Sequence, residues 1–461
     1  MDLSAIKKAG FYACADVRRG QPFPAGAGGC PNFRIPGLIR LKDGSLFAAV
    51  DARWTRPDDD AGGVDTAFAV SRDGGATWRG GYAAYFPDTL GSPADLFVST
   101  TCLDPMPVQT PDGAVRIFVN LCPAGVGLPL NWPAAGNGFS KIGGKQRLML
   151  TDDPAAIRTD PACFPYYVGE EQDGFYPVCT REGGPTPFSL DCYLNLYRGG
   201  EPLWQKQIET GAGIQQNVIY RDAALRVYDT SYTLMLTSFD CGESWSPRIL
   251  SGEIKESWES AVIASPGNGL IASDGVAVLP FYSMFGGESH SFLVFSADNC
   301  RTFTRSPLLP SSERIPWSGE CKPVELPNGR IRLFYRNPVS RICYADYDRQ
   351  TGEWSESVRL PVLVHSECNF GALALDGAIC IAYARGAGDG ARNRSHGRVY
   401  RFVLTKENEM VLTDVLRAAE GAFSYAVLCE AGEGTLGLLY DTCGDGVVRF
   451  IKIRLPDEKP V

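Results

Sequence analysis

Six times along the chain, two short apolar runs flank a tight turn built from residue types that tolerate positive φ. The turns are Asp43-Gly44, Asp112-Gly113, Asp274-Gly275, Asn328-Gly329, Asp376-Gly377 and the stretch from Gly432 to Gly434. Apolar runs joined by such a turn read as antiparallel hairpins. A chain that repeats them and shows almost no long amphipathic helical pattern is confined to all-β architectures. The 51 glycines and 32 prolines punctuate the runs at close spacing. A further turn at Arg221-Asp222 leaves the count at six or seven.

A second repeat falls between the hairpins: "SRDGGATW" (71 to 78), "SFDCGESW" (238 to 245), and the decayed copies "SADNCRTF" (296 to 303) and "YADYDRQTGEW" (344 to 354). In S-x-D-x-G-x-T-W the Asp accepts backbone N–H bonds, the Gly takes positive φ, and the Trp plugs between strands. Its role is structural. A spacing of roughly fifty to sixty residues between the later copies suits a unit of four short strands, which predicts a β-propeller. From about 123 to 226 the rhythm weakens and an irregular insertion is expected, within a single domain spanning 1–461.

The opening hairpin poses a problem of charge. Arg34 lies nine residues before Asp43 and Arg53 ten after it, so both fall at the open end of one hairpin. Like charges gathered at one edge suit an anion. Glu320 and Arg336 each lie eight residues from Asn328 and share an open end in the same way. The chain as a whole carries a net charge of −9, which argues against nucleic acid or an anionic membrane surface as partner. Any anion site is therefore local.

Fifteen cysteines are spread singly with no C-x-x-C pair, and only three histidines accompany them, so no zinc site is expected. Buried thiols of a reducing compartment explain them better than a disulfide framework. No apolar run reaches the ~20 residues of a membrane helix, and the first residues lack the apolar core of a secretory signal. A cytoplasmic location is the expectation.

These residues together resemble the sialidases (exo-α-sialidases or neuraminidases, glycoside hydrolase family 33). "FRIPG" is similar to the family's F-R-I-P motif, and the S-x-D-x-G-x-T-W copies resemble its Asp boxes. "LDP" at Asp104, "SPGNGLIASDGVAVLPFY", "GECKPVELPNGRIRLFYRN" and "SYAVLCEAGEGTLGLLYD" resemble further family segments, and all occur in family order from residue 33 to 455. The resemblance implies a six-bladed propeller with the active site on its axis, acting without metal or cofactor.

It also implies roles. Arg34, Arg336 and a third arginine, Arg398 with Arg385 as rival, would form a triad on the substrate carboxylate. A guanidinium fork suits a carboxylate and stays charged. Tyr425 would be the nucleophile and Glu320 its base. A neutral phenol avoids the repulsion that a carboxylate nucleophile meets at a carbon already bearing one. Asp59 or Asp60, in the loop "WTRPDDDAGGVDT", would be the acid/base, with Asp58 a solvated neighbour. Arg53 and Asp104 would contact the sugar's 4-hydroxyl region and N-acyl side. Asp441 stands where the family usually has Glu to orient the first arginine, one methylene short.

The activity implied is retaining cleavage of terminal α-linked sialic acid from sialylated oligosaccharides or glycoconjugates through a tyrosyl-glycosyl intermediate. Glycosidases for deaminated sialic acid or Kdo-like sugars, and trans-sialidases, share that machinery. A non-catalytic Asp-box propeller acting as lectin or scaffold would need neither the Tyr/Glu pair nor the converging arginines.

Overall fold

The computed structural model describes residues 16–55, 57, 63–89, 99–127, 131–206, 211–337, 341–364, 368–385 and 394–456. The six hairpins form where the turns predict them. Asn32–Arg40 pairs antiparallel with Leu46–Arg53, and Thr101–Gln109 with Val115–Cys122. Leu270–Ile271, Cys321–Glu325, Gly371–Leu375 and Ala426–Glu430 likewise each pair with the strand that follows their turn. At the first turn Gly44 takes φ 87°, open to a residue without Cβ.

Each hairpin extends into an antiparallel meander. Val64–Ser71 and Thr77–Ala84 complete the first, and Tyr232–Ser238 and Ser246–Ile249 the second. One parallel pair, Val64 with Thr101, joins these two into a nine-stranded sheet. Beyond Ala261 the remaining meanders stand as four separate sheets, so the arrangement is propeller-like and all-β.

The innermost segments of the meanders are stitched to one another across a common axis. Leu38 N–H donates to Gly267 O at 3.1 Å, Gly267 N–H to Pro105 O at 3.3 Å, and Gly269 N–H to Pro107 O at 3.0 Å. Ser265 Oγ exchanges two 2.7 Å bonds with the Cys321 backbone, and Asn369 Nδ2 donates to Pro266 O at 3.3 Å. Phe33 N–H donates to Gly446 O at 2.8 Å and closes the ring. The approach is tight: a Cβ at Gly37 would meet Pro107 Cδ at 2.5 Å.

The Asp boxes form as read. Asp73 accepts from Ser71 Oγ, Thr77 N–H and Thr77 Oγ1, and the copies at Asp240 and Asp298 repeat the pattern. The tryptophans of the first two wedge between meanders. Trp78 lies edge-on to Phe450 of the last sheet, and Trp245 of the second meander packs on Phe47 and Phe68 of the first.

The insertion differs from expectation. Within 139–227 it forms an eight-stranded antiparallel sheet of two- to seven-residue strands rather than irregular chain. Few of its described positions are buried and its strands are short, so no run shows a sustained two-faced alternation of the kind that marks a strand. Leu150, Val178, Leu190 and Leu196 bury into the same core as Phe47, Phe68 and Trp245 of the first two meanders. None of the described helices is long and apolar enough to cross a membrane.

Candidate active site

The open ends of the hairpins meet at one end of the axis, and the charged residues there are buried. Arg34 and Asp441 are 2% and 0% exposed. Asp441 Oδ2 lies 3.4 Å from Arg34 Nε and accepts the Ile35 N–H at 3.1 Å. Its shorter side chain therefore reaches the first arginine directly. Ile35 sits at φ 57°, a strained conformation for a β-branched residue, at a bulge between Arg34 and Gly37. The bulge turns the Ile35 amide out of the ladder, and Asp441 satisfies it.

Arg53 converges on Arg34 as the hairpin count requires. The Nη1 groups of both donate to the Pro57 carbonyl, at 3.1 Å from Arg34 and 2.8 Å from Arg53. Pro57 opens the loop whose Asp59 and Asp60 lie outside the described residues, as does Asp58. Arg53 is held in turn by Asp51, whose Oδ2 accepts from Nε at 3.3 Å and Nη2 at 2.8 Å.

Tyr425 is 7% exposed and lies among arginines. Its ring centroid is 5.6 Å from Arg34 Cζ and 5.5 Å from Arg394 Cζ. Arg336 Nη1 stands between Glu320 Oε2 at 2.9 Å and Tyr425 Oη at 3.4 Å. The backbones of Glu320 and Arg336 are also joined, Arg336 N–H donating to Glu320 O at 2.9 Å. Burial alone would pull the Arg336 pKa down, but the charges of Glu320 and Tyr425 carry it above its ordinary value.

The structure does not bring Arg398 to this ring. Its guanidinium is held by the Gly397 and Ala419 carbonyls and by Glu420, at 2.9, 3.0 and 3.2 Å. Arg385 is exposed. Arg394 lies over the Tyr425 ring instead, with Nη1 3.3 Å from Ser424 Oγ and 3.5 Å from Cys443 Sγ. It precedes the strand Gly397–Leu404 in irregular chain, where no count from a turn reaches it.

Asp104 lies at φ 63° in a second bulge, between Leu103 and Met106, and is 9% exposed. Tyr282, which sequence reasoning passed over, belongs to the same constellation. Burial first, and then the charges of Asp104, Glu320 and Tyr425, push its phenol well above its ordinary pKa. Lys322 is fully buried beside Glu320 and Asp104 and donates to Pro266 O; burial lowers its pKa to about 8. One arithmetic signal would have found several of these residues. Counting eight residues outward from each turn gives, beside Ile35, Asn120, Pro266 and Ala384, the residues Asp51, Asp104, Tyr282, Glu320, Arg336, Cys368 and, about Glu433, Tyr425 and Asp441. That offset is the length of strand between the turn and the axial cleft.

No family model matches the chain. Among curated proteins it is 24% identical over 455 residues to the anhydrosialidase of Macrobdella decora, covering 89% of this chain and 58% of that one. It is 27% identical over 332 residues to sialidase B of Streptococcus pneumoniae, covering 66% and 45%. Both of these relatives are named sialidases. The chain thus spans about half the length of these sialidases. The fold agrees: the intramolecular trans-sialidase of Ruminococcus gnavus, solved with oseltamivir carboxylate, superposes with TM-score 0.81 at 24% identity, covering 94% of this chain and 97% of that one. The leech intramolecular trans-sialidase, solved with 2,7-anhydro-Neu5Ac, gives 0.79 at 22% identity over 98% and 72%.

Proposed function

We propose that the protein is a retaining sialidase that cleaves terminal α-linked sialic acid from glycans on a six-bladed propeller, the merged nine-stranded sheet counting as two blades. The observation that carries this reading is the placement of one Arg336 nitrogen between the Glu320 carboxylate and the Tyr425 phenol, under two further arginines. Glu320 takes the phenolic proton as Tyr425 attacks the anomeric carbon, and Arg34, Arg336 and Arg394 hold the substrate carboxylate. The guanidiniums also stabilise the phenolate that develops on the way to attack. Asp59 or Asp60 protonates the leaving oxygen and then activates the incoming nucleophile.

A second reading, release of an anhydro sugar by intramolecular transfer, is favoured by the activities named for the leech and Ruminococcus relatives. Incubation with a fluorogenic sialoside beside its deaminated analogue, with mass analysis of the product, tests both. A free sialic acid supports hydrolysis, and a product lighter by one water supports transfer. No cleavage of either substrate overturns the glycosidase reading and leaves an Asp-box propeller that binds without chemistry.

A further inference from the structure

Two buried carboxylates repeat one device at neighbouring places on the axis. Asp441, on the second strand of the last meander, pairs with Arg34 and accepts the N–H of Ile35 in the next bulge. Asp51, on the second strand of the first meander, pairs with Arg53 and accepts the N–H of Asp104 in the following bulge at 2.9 Å. Both acids are 0% exposed, and both amides belong to residues of positive φ. The equivalence is one of register: Asp51 stands eight residues beyond its turn, and Asp104 eight before the next.

From this juxtaposition we infer that Asp51 is a positioning residue that sets Arg53 and Asp104 together, and so governs how the cleft reads the 4-hydroxyl region of the sugar. The inference rests on the sialidase reading for the identity of that sugar. The Asp51 carboxylate divides its lone pairs between a guanidinium and a strained backbone amide, so one group fixes a cationic donor and an anionic acceptor at a single spacing. Asparagine would keep the oxygen for the Asp104 amide but turn its NH₂ toward the donors of Arg53. Arg53 would lose the Asp51 carboxylate that holds its Nε and Nη2, though not the Pro57 carbonyl, while the bulge survived.

Among the described residues, the charged and titratable groups around Asp51 include Arg34, Arg53, Asp104 and Cys102. Burial pushes the Asp51 carboxyl up to about 6, against the pull of Arg53, the Asp104 amide and Arg34. A folded-state value raised above 3.8 means that protonation favours the fold, with that stability present at low pH and lost as pH rises through about 6. Loss of ligand recognition on acidification through 6 is then not an effect of Asp51 unfolding the protein.

The test compares inhibition by unsaturated sialic acid and by its 4-deoxy counterpart. In the wild type the hydroxyl is expected to be worth about tenfold or more, the range of a hydrogen bond to a charged group. In Asp51→Asn that ratio falls below about threefold, with the 4-deoxy affinity nearly unchanged. A wild-type ratio in Asp51→Asn, or an equal loss for both ligands, overturns the inference. Where Asp51→Asn does not fold, the wild type at pH 5 and 7.5 replaces it, and a constant ratio overturns the inference. If the wild type binds neither ligand, or both alike, the sialoside reading of the cleft has failed. Asp51 is then judged without ligand by exchange of the Arg53 Nε–H, slow in the wild type and fast in Asp51→Asn; equal exchange overturns the inference.

Discussion

The two ends of the first meander use aspartate and arginine in opposite ways. At the turn end, Arg72 and Asp43 face each other at 3.7 Å with side chains 70% and 51% exposed. At the open end, Arg53 and Asp51 meet at 2.8 Å with 4% and 0% exposed. An exposed pair adds little to stability and costs little to break. A buried pair costs several kcal/mol of desolvation per ion, and a core of the same volume in apolar residues would be as stable or more so. The fold therefore has no need of the open-end charges, and their concentration around one tyrosine is the mark of chemistry. The turn end shows what the fold does need: short acids that accept backbone and hydroxyl protons.

The sharpest break in this comparison is to remove chemistry and leave the charges. Tyr425→Phe deletes an oxygen 3.4 Å from Arg336 without disturbing the arginines over its ring. Turnover of a sialoside should fall by about a thousandfold or more, while affinity for an unsaturated sialic acid stays within about tenfold. Wild-type turnover would remove Tyr425 from the reaction. The next effect separates two arginines four residues apart. Arg394→Met should weaken carboxylate ligands by about a hundredfold, because burial makes a lost fork costly. Arg398→Met, whose guanidinium meets Glu420 and two carbonyls, should change affinity less than about threefold. The reverse order would restore Arg398 to the site.

Much of this was legible before any coordinates. Asp-Gly and Asn-Gly turns are local, so the hairpins declared themselves, and a strand of fixed length carries a turn's position to the axis. Glu320 and Arg336 follow from that count, and Arg34 lies one residue beyond it. Asp51 and Tyr282 were reachable by the same count and went unread because no motif drew attention to them. Arg394 could not be counted. It lies outside any hairpin, beside His396 at φ 57°, and only the packing of the last sheet brings it over Tyr425. The insertion stayed illegible because its strands are short and few of its positions are buried, so burial leaves no sustained period in the sequence.

Asp441→Asn has an intermediate effect, since it tests whether the open-end acids act by charge or by shape. The amide oxygen can still accept from Ile35, but the attraction to Arg34 Nε at 3.4 Å is lost. Affinity for carboxylate ligands should fall by about tenfold with the bulge intact, in line with a charged hydrogen bond. An unchanged affinity would mean that Pro57 and the neighbouring strands position Arg34 by themselves. Asp441→Glu sharpens the point. The site is 0% exposed and already in direct contact, so the added methylene must displace Arg34 or the bulge.

The smallest effect on activity belongs at the other end of the strands. Asp73 is exposed, and hydrogen bonds from the Thr77 hydroxyl, the Thr77 amide and the Ser71 hydroxyl hold its carboxyl down at about 2. Those bonds shape a loop in which Ser71 Oγ accepts the Gly75 N–H at 2.7 Å and Trp78 Nε1 donates to Gly75 O at 3.1 Å. The loop thereby presents Trp78 to Phe450 of the last sheet, 5.3 Å between ring centroids, and helps close the ring of meanders. Asp73→Ala should leave kcat and KM unchanged and lower Tm by about 2 °C at pH 7. A depressed carboxyl contributes stability that is present above its unfolded value of 3.8 and lost as pH falls through its folded value. The Tm deficit of Asp73→Ala should accordingly shrink as pH is lowered from about 4 toward 2. A deficit independent of pH would mean that the mutant loses packing rather than carboxylate hydrogen bonds. A loss of kcat would mean that the turn end is coupled to the chemistry, and the division between the two ends of the hairpins would fail.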